Sequence, residues 1–151
     1  MKILAHKLAL ISTAGALMVA ASMACAASTG LPPVQRMGSI DYVTGGIGQA
    51  ESSSFERASH DWPLTLEFAV KDKQRADFAA GVAVEVRDAR QQVKLKVKSD
   101  GPFLLAKLAP GHYQVDATFD GRSLHEKIVV AAGHPAKAVF VWPSEKAVAG
   151  S

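Results

Sequence analysis

From Leu64 onward, apolar and polar residues alternate with a period of two, in short runs separated by turn residues. Such alternation is typical of strands that bury one face and expose the other. We predict seven strands, at 64–70, 82–87, 93–98, 102–107, 112–119, 123–130 and 136–142. No helical period interrupts them, which favours two packed sheets over a parallel sheet with helical crossovers. The sequence therefore predicts an all-β Greek-key sandwich over residues 64–142.

Asp120-Gly121 separates the fifth and sixth of these strands and has the composition of a two-residue hairpin turn. That turn sets Asp116 opposite His125. We interpret the two as a cross-strand pair rather than half a catalytic relay, because no serine is placed to complete a triad. The same register turns Glu126 inward, where an unpaired carboxylate is costly. The sequence leaves open whether Glu126 reaches a sandwich end, meets a basic partner or marks a site.

Residues 40–63 precede the sandwich and follow another pattern. We predict a short strand at 40–44, a sharp reversal at Gly45–Gly48 and a helix over 49–60. Ser53 with Glu56 fits a capping box at the helix start. The apolar residues expected on one helical face are Ile47, Phe55, Ala58 and Trp62. A phosphate-binding loop is the alternative for Gly45–Gly48, but the Lys-Ser/Thr of a P-loop is missing.

The amino terminus has the pattern of a secretory signal peptide. Lys2 and Lys7 precede a largely apolar run, 8–24, and Ala24-Cys25-Ala26 matches a small-x-small cleavage site. We predict removal of residues 1–26, a disordered linker at 27–39 and a flexible tail at 143–151. Cleavage leaves no stable transmembrane segment and places the mature chain in the periplasm or outside the cell. The alternative is a lipoprotein anchored through Cys25, although Ser22 stands where bacterial lipoprotein signals usually have leucine.

Charge and cysteine content change once the leader is removed. Lys2 and Lys7 are two of the 17 basic residues, and the leader contains none of the 14 acidic ones, so the net charge falls from +3 to +1. The basic composition is therefore no sign of nucleic-acid binding. Cys25 is the only cysteine. The mature chain would then have no thiol for a disulfide, a metal or a nucleophile.

One stretch carries a family resemblance. Ser99-Asp100-Gly101, Phe103-x-Leu105 and Leu108-x-Pro110-Gly111-x-Tyr113 are followed by an alternating strand that ends at Gly121. This pattern resembles the carboxypeptidase regulatory-like domain, over about residues 64–141. The resemblance implies a transthyretin-like seven-stranded Greek-key sandwich, often non-catalytic, which occurs beside peptidase domains, before outer-membrane receptors or alone in exported proteins. Residues 42–48, joined to such a sandwich, also look like small secreted proteins of proteobacteria.

Two groups of residues are candidates for ligand or partner contact. Lys94, Lys96 and Lys98 form a row on one strand face, which either keeps the strand soluble or attracts an anionic surface. No aromatic residues are interleaved with the row, which argues against nucleic acid. Trp62 and Trp142 are the residues best suited to hold a sugar ring or a protein partner, and core packing is their alternative role.

The sequence shows no set of residues typical of catalysis. None of the five histidines has a metal-ligand spacing, and we predict no metal and no cofactor. The leading hypothesis is an exported, non-enzymatic binding module of the cell envelope with an unknown protein or glycan partner. A structural accessory subunit or a carbohydrate-binding module is the alternative. A transthyretin-like hydrolase is less favoured, because the chain ends Val148-Ala149-Gly150-Ser151 and lacks the terminal Tyr-Arg-Gly-Ser of those enzymes.

Overall fold

A computed structural model of the protein describes residues 30–71 and 76–144. The predicted signal peptide, with Cys25, and tail residues 145–151 lie outside the described residues. In chain order the elements are β1 (Gln35–Met37), β2 (Ile40–Gly45), α1 (Gln49–Ala58), β3 (Leu64–Lys71), β4 (Ala76–Phe78), β5 (Ala83–Asp88), β6 (Val93–Lys98), β7 (Phe103–Ala106), β8 (Gly111–Phe119), β9 (Arg122–Val130) and β10 (Ala136–Pro143).

The strands form two sheets, as predicted. Sheet 1 has the order β1-β2-β7-β3-β10, with β4 also paired to β3, and sheet 2 has the order β6-β5-β8-β9. The all-β sandwich is confirmed, but the described residues form ten strands rather than seven. One of the additional strands, β1, lies within the range expected to be a disordered linker. Strands β3 and β10 pair in parallel, and the other strand pairs are antiparallel.

The main core lies between the two sheets. Its largest side chains are aromatic: the Phe68 ring lies 5.9 Å from Phe140 and 6.3 Å from Trp142, measured between centroids. Phe119 lies 5.7 Å from Trp142 and extends this cluster toward sheet 2. Alternate residues of β3, β5, β8 and β10 supply the aliphatic remainder, including Leu64, Leu66, Val84, Val86, Val115, Ala117 and Ala138. This burial is the main stabilising contribution to a sandwich of this size.

Helix α1 covers part of the outer face of sheet 1. Phe55 stacks on Phe103 of β7 with ring centroids 5.5 Å apart, and Trp62, Val43 and Leu105 complete a second buried cluster. The four residues of β7 are buried because its two faces meet different layers. The strand is therefore fully buried, rather than half-buried as the period of two suggested. Within residues 30–71 and 76–144, no helix has the length and hydropathy needed to cross a bilayer.

The start of α1 differs from the prediction. Gly48 is the N-cap residue, without a side-chain hydrogen bond, so Ser53 and Glu56 lie inside the helix and form no capping box. Ser52 and Ser54 instead donate to the carbonyls of the preceding turn, at 3.2 and 3.0 Å, which satisfies their hydroxyls inside the helix. Ile47 is exposed. It precedes the helix and does not share its buried face.

The turn between β8 and β9 has the predicted geometry. Asp120 and Gly121 both have positive φ, 48° and 74°, as a type I′ turn requires. The pairing sets Asp116 opposite His125 and Val115 opposite Glu126. Glu126 is nevertheless exposed, because β9 is the edge strand of sheet 2. Its carboxylate is open to solvent at that edge, so it is not an unpaired charge in the core.

The Pro-Gly-x-Tyr segment forms a closed corner before β8. The Tyr113 hydroxyl donates to the Ala109 carbonyl over 2.6 Å. Burial raises the pKa of Tyr113 above its ordinary value, with a smaller effect of the same sign from Asp88. The hydrogen bond holds the turn at Pro110-Gly111 against the strand that follows it. The motif therefore has a packing role in this chain.

The turn at 99–101 is packed against the end of β2. The Ser99 hydroxyl accepts from the Val82 amide at 3.0 Å, and the Thr44 hydroxyl accepts from the Asp100 amide at 3.0 Å. A β-carbon at Gly101 would lie 2.3 Å from the Gly45 carbonyl oxygen. The β2 backbone thus leaves no room for a side chain at Gly101.

Candidate functional site

The three lysines lie on one face of a strand, as the alternation predicted. Lys94, Lys96 and Lys98 are exposed on the outer face of β6, an edge strand of sheet 2. Lys96 pairs across the sheet with Glu85, and Lys94 lies 3.6 Å from the Asp88 carboxylate. Acidic residues therefore interrupt the positive charge, and the row is one margin of a mixed-charge face.

A row of polar residues crosses this outer face. Registers between neighbouring strands align Lys96, Glu85, Asp116 and His125. Glu85 is ion-paired with Arg87 on its own strand. The positive charge of Arg87 offsets the repulsion between the neighbouring carboxylates of Glu85 and Asp116. A shallow depression of about 360 Å³ lies over Lys96, Glu85 and Asp116. The charged groups named here are paired within the sheet, which is typical of a solvated face.

Asp116 makes the closest polar contacts on this face. His125 Nδ1 lies 2.5 Å from Asp116 Oδ1, and Gln114 Nε2 donates to the same oxygen over 3.2 Å. Partial burial, the largest single influence, raises the pKa of Asp116, but the His125 and Gln114 hydrogen bonds, with the charges of His125 and Arg87, together leave the pKa below its ordinary value. The pair that the sequence predicted is thus formed, and its geometry stabilises the hairpin.

The Asp116–His125 pair gives stability a pH dependence. A depressed pKa means that ionised Asp116 stabilises the fold above its unfolded pKa, about 3.9, and that this contribution is lost as pH falls through the lower folded pKa. We expect Asp116→Asn to lower the unfolding free energy at pH 7 by a few tenths to about 1 kcal/mol. The difference should disappear by about pH 2, measured by urea denaturation.

A double-mutant cycle isolates that contact. In a His125→Ala background, Asp116→Asn should cost less, because one hydrogen bond to the carboxylate is already absent. If the difference in unfolding free energy between the wild type and Asp116→Asn were the same at pH 2 as at pH 7, ionised Asp116 would not be its source.

Trp142 is a core residue. It is 1% exposed, its ring packs among Phe68, Phe119 and Phe140, and its Nε1 donates to the Arg122 carbonyl over 3.0 Å. No ligand reaches the ring in this fold. Trp142 is therefore removed from the candidate contact residues, and core packing accounts for it.

Trp62 lies at the margin of a concave surface of about 460 Å³ at one end of the sandwich. Three segments enclose this surface: the residues after α1, the β7–β8 connection and the β9–β10 connection. Its lining residues are His60, Asp61, Trp62, Pro63, Leu108, Pro110, Val130, Ala131, Ala132, Gly133, His134 and Pro135. We call it the end concavity. Loops held by a rigid scaffold in this way are a common place for binding.

The faces of the Trp62 ring are largely covered. Trp62 is 8% exposed and belongs to the cluster beneath α1, while Lys107 Nζ lies 5.0 Å from the ring centroid. A sugar that stacks on tryptophan needs an open ring face. In the end concavity, Trp62 therefore offers a ligand little surface, beside the exposed His60 and His134.

The glycine loop at 45–48 has a structural role. The Gly46 amide donates to Glu51 Oε1 over 2.7 Å, which places a carboxylate where a phosphate-binding loop needs free amides. Gly46 has a φ of 98°, and a β-carbon there would lie 2.5 Å from the Phe103 ring. The loop is thus the close turn from β2 into α1 and carries no sign of an anion site.

Histidines and carboxylates do not converge on a metal site. His60, Asp61 and His134 share the end concavity, yet no group of three potential ligands in the described part of the chain has metal-binding geometry. The lysine row and Trp62 also stay apart, the lysines on β6 of sheet 2 and Trp62 in the connection between α1 and β3. The candidate contact residues predicted from the sequence therefore do not lie together in one site.

Sequence reasoning missed the end concavity, although its components were visible. Pro63, Pro110 and Pro135 each mark a connection between predicted elements, the helix and a strand for Pro63 and two strands for the others. Their convergence depends on the parallel pairing of β3 with β10, in which the Ala136 amide donates to the Pro63 carbonyl over 2.9 Å. Strand patterns do not specify which strands pair in parallel. No protein-family model matches the chain, and a search of curated proteins finds no significant match.

Proposed function

We propose that this protein is an exported, non-enzymatic binding module of the bacterial cell envelope that contacts a protein partner through the end concavity. The observation that carries the proposal is the meeting of three connections around about 460 Å³ of concave surface. Backbone pairing of β3 with β10 fixes two of these connections relative to each other. A rigid concave surface of this kind reduces the entropy lost on binding.

The chemistry of the lining favours a protein segment. Leu108 and Val130 form an apolar floor, and three prolines keep the rim stiff. The exposed imidazoles of His60 and His134 and the Asp61 carboxylate supply polar groups at the rim. An extended peptide or loop with one apolar side chain matches an apolar floor and a polar rim.

The test is capture of a partner from envelope extract with the purified protein as bait. Ala132 is exposed and lines the end concavity, so Ala132→Arg obstructs the surface without entering the core. We expect one stoichiometric protein to be retained by the wild type and its recovery to fall at least about 10-fold with Ala132→Arg.

The matched control is Ala89→Arg, at another exposed alanine, in the β5–β6 turn. It should retain the partner at the wild-type level. Equal loss with both variants, or retention by Ala132→Arg, would contradict the use of the end concavity. Turnover by the purified protein that disappears with His112→Ala or His125→Ala would contradict the non-enzymatic part of the proposal.

Export is proposed from the leader-like sequence. Lys2, Lys7, the apolar run at 8–24 and Ala24-Cys25-Ala26 support cleavage before Ala27. We expect mass spectrometry of the protein from cell envelopes to show a mature chain that begins at Ala27. A chain that begins at Cys25 and carries the added mass of a lipid would replace this proposal with the lipoprotein alternative.

A glycan is the second candidate ligand, because Trp62 and two imidazoles lie at the same concavity. The covered faces of Trp62 make it the weaker candidate. Retention on immobilised cell-envelope polysaccharide, lost with His134→Ala and kept with Ala89→Arg, would favour it over a protein partner.

A further inference from the structure

The two sheets end in edge strands that differ in how they are protected against pairing. β6 carries the three exposed lysines, and its Lys96 amide donates to the Met37 sulfur over 3.2 Å. β9 bears charged residues along its length, and β1 has only three residues. Charge, short length and coverage are the usual ways to protect an edge. Over Ala138–Trp142, β10 has no charged residue and is not short, although β9 approaches its end, where Trp142 Nε1 donates to the Arg122 carbonyl.

β10 is a long and regular edge. It has eight residues, it pairs among the described strands with β3 alone, and its charged residue is Lys137 near one end. Ala136 and Ser144 donate their amides to Pro63 and Lys71, and alternate residues of a strand direct their backbone groups to opposite sides. Lys137, Val139 and Val141 therefore direct theirs away from β3. In the part of the chain that the structure describes, no strand pairs with that side.

The edge borders an exposed apolar strip. Val139 and Val141 are 46% and 43% exposed on the outer face of sheet 1. Val141 lies beside Ala69 of β3, which lies beside Phe78 of β4, itself 57% exposed. Helix α1 packs over the β2–β7 side of this sheet and leaves the strip open. Unpaired backbone and apolar side chains thus occur together at one border of the molecule.

We infer that β10 pairs with β10 of a second copy of this chain, antiparallel and about a two-fold axis at Phe140. The sequence of the strand is self-complementary in this register. Val139 lies opposite Val141 of the second copy, and Ala138 lies opposite its Trp142, so that a small side chain faces a large one. Such an interface is isologous, with the same surface used by both copies.

The register follows from charge and from the end of the strand. An axis at Val139 would instead set Lys137 against Val141 and interrupt the apolar strip. At the other end, Arg122 Nη1 donates to the Pro143 carbonyl over 3.3 Å, and proline has no amide to offer. Pairing therefore centres on Val139–Val141, where each copy has two amides and two carbonyls directed outward. The extended sheet then joins the apolar strips of the two copies.

The first experiment is sedimentation velocity on the exported protein after processing, over a concentration series. We expect a monomer–dimer equilibrium, with Val141→Lys raising the dimer Kd by about 100-fold, because the added charge occurs twice at one symmetric interface. Val129→Lys is the matched control, since Val129 is an exposed valine on β9, and it should leave the Kd unchanged. Circular dichroism verifies that both variants are folded.

Disulfide trapping tests the register directly. Opposed residues of a hydrogen-bonded antiparallel pair have Cα atoms about 5.5 Å apart, within reach of a disulfide. An equal mixture of Val139→Cys and Val141→Cys chains should form a crosslinked heterodimer, while Val139→Cys alone should not. A monomer at every concentration, a dimer insensitive to Val141→Lys, or efficient crosslinking of Val139→Cys alone would overturn the inference. Ala132→Arg acts at the end concavity, so a failure of the proposed binding function leaves these results unaffected.

Discussion

Gly101→Ala is expected to lower the free energy of unfolding by about 3 kcal/mol, at the upper end of the cost of overpacking a tight site. The new β-carbon would lie 2.3 Å from the oxygen and 2.5 Å from the carbon of the Gly45 carbonyl. Both are backbone atoms, so no side-chain rotation relieves the contact. The turn at 99–101 must move away from β2, which strains the hydrogen bonds that Thr44 makes there.

Gly111→Ala is the control for this change. Gly111 also has ordinary backbone angles, but the nearest atom to its new β-carbon would be Tyr113 Cε2 at 3.6 Å, an ordinary contact. Its unfolding free energy should stay within about 0.5 kcal/mol of the wild type. Urea denaturation of both variants measures the difference. Equal stability of the Gly101 and Gly111 variants would show that β2 and the 99–101 turn do not pack as described.

Trp142→Ala should cost about 4 kcal/mol of folding stability. The substitution empties the aromatic cluster that contains Phe68, Phe119 and Phe140. It also leaves the Arg122 carbonyl without its 3.0 Å hydrogen bond, at the point where β9 meets β10. Thermal and urea denaturation measure the loss.

Trp142→Phe separates packing from hydrogen bonding. It keeps most of the ring volume and loses the indole N–H, so its cost should be about 1–2 kcal/mol. An Ala variant no less stable than the Phe variant would contradict the core placement. It would restore Trp142 as a candidate for ligand contact.

The alternation of apolar and polar residues correctly predicted strand features that depend on residues close together in sequence. The β8–β9 register was correct because Asp120-Gly121 specifies a two-residue turn, and the turn fixes each pair beyond it. The outward placement of Lys94, Lys96 and Lys98 was correct for the same period of two. These are short-range properties, present in the chain before any tertiary contact forms.

The alternation did not predict which side chains are buried at the sheet edges or beneath α1. Glu126 has the parity of an inward residue yet lies on an edge strand, where parity no longer implies burial. Phe103 and Leu105 are buried against α1 rather than in the main core. The three-residue strands β1 and β4 are too short to show a period. The candidate site depends on the β3–β10 pairing, which no local pattern specifies.

Trp62 and Trp142 show how far the sequence could predict the role of each tryptophan. Both precede a proline, and that shared context suggested a shared role. The alternation of β10 already placed Trp142 on the same face as Ala138 and Phe140, which was a usable sign of burial. For Trp62 the helical period gave a sign of its own, since it grouped Trp62 with Phe55 and Ala58, which pack beside it. The contact with Lys107, which lies over the ring, joins residues distant in sequence and was not predicted.

The pairing of β3 with β10 also has a consequence for how the chain is made. Sheet 1 pairs β3 with β10, the last of the described strands, so the layer stays incomplete until that strand is synthesised. Contacts of such long sequence separation form slowly. A polypeptide that is threaded through a narrow channel amino end first would therefore remain extended during passage, and would acquire its hydrophobic interior only after release.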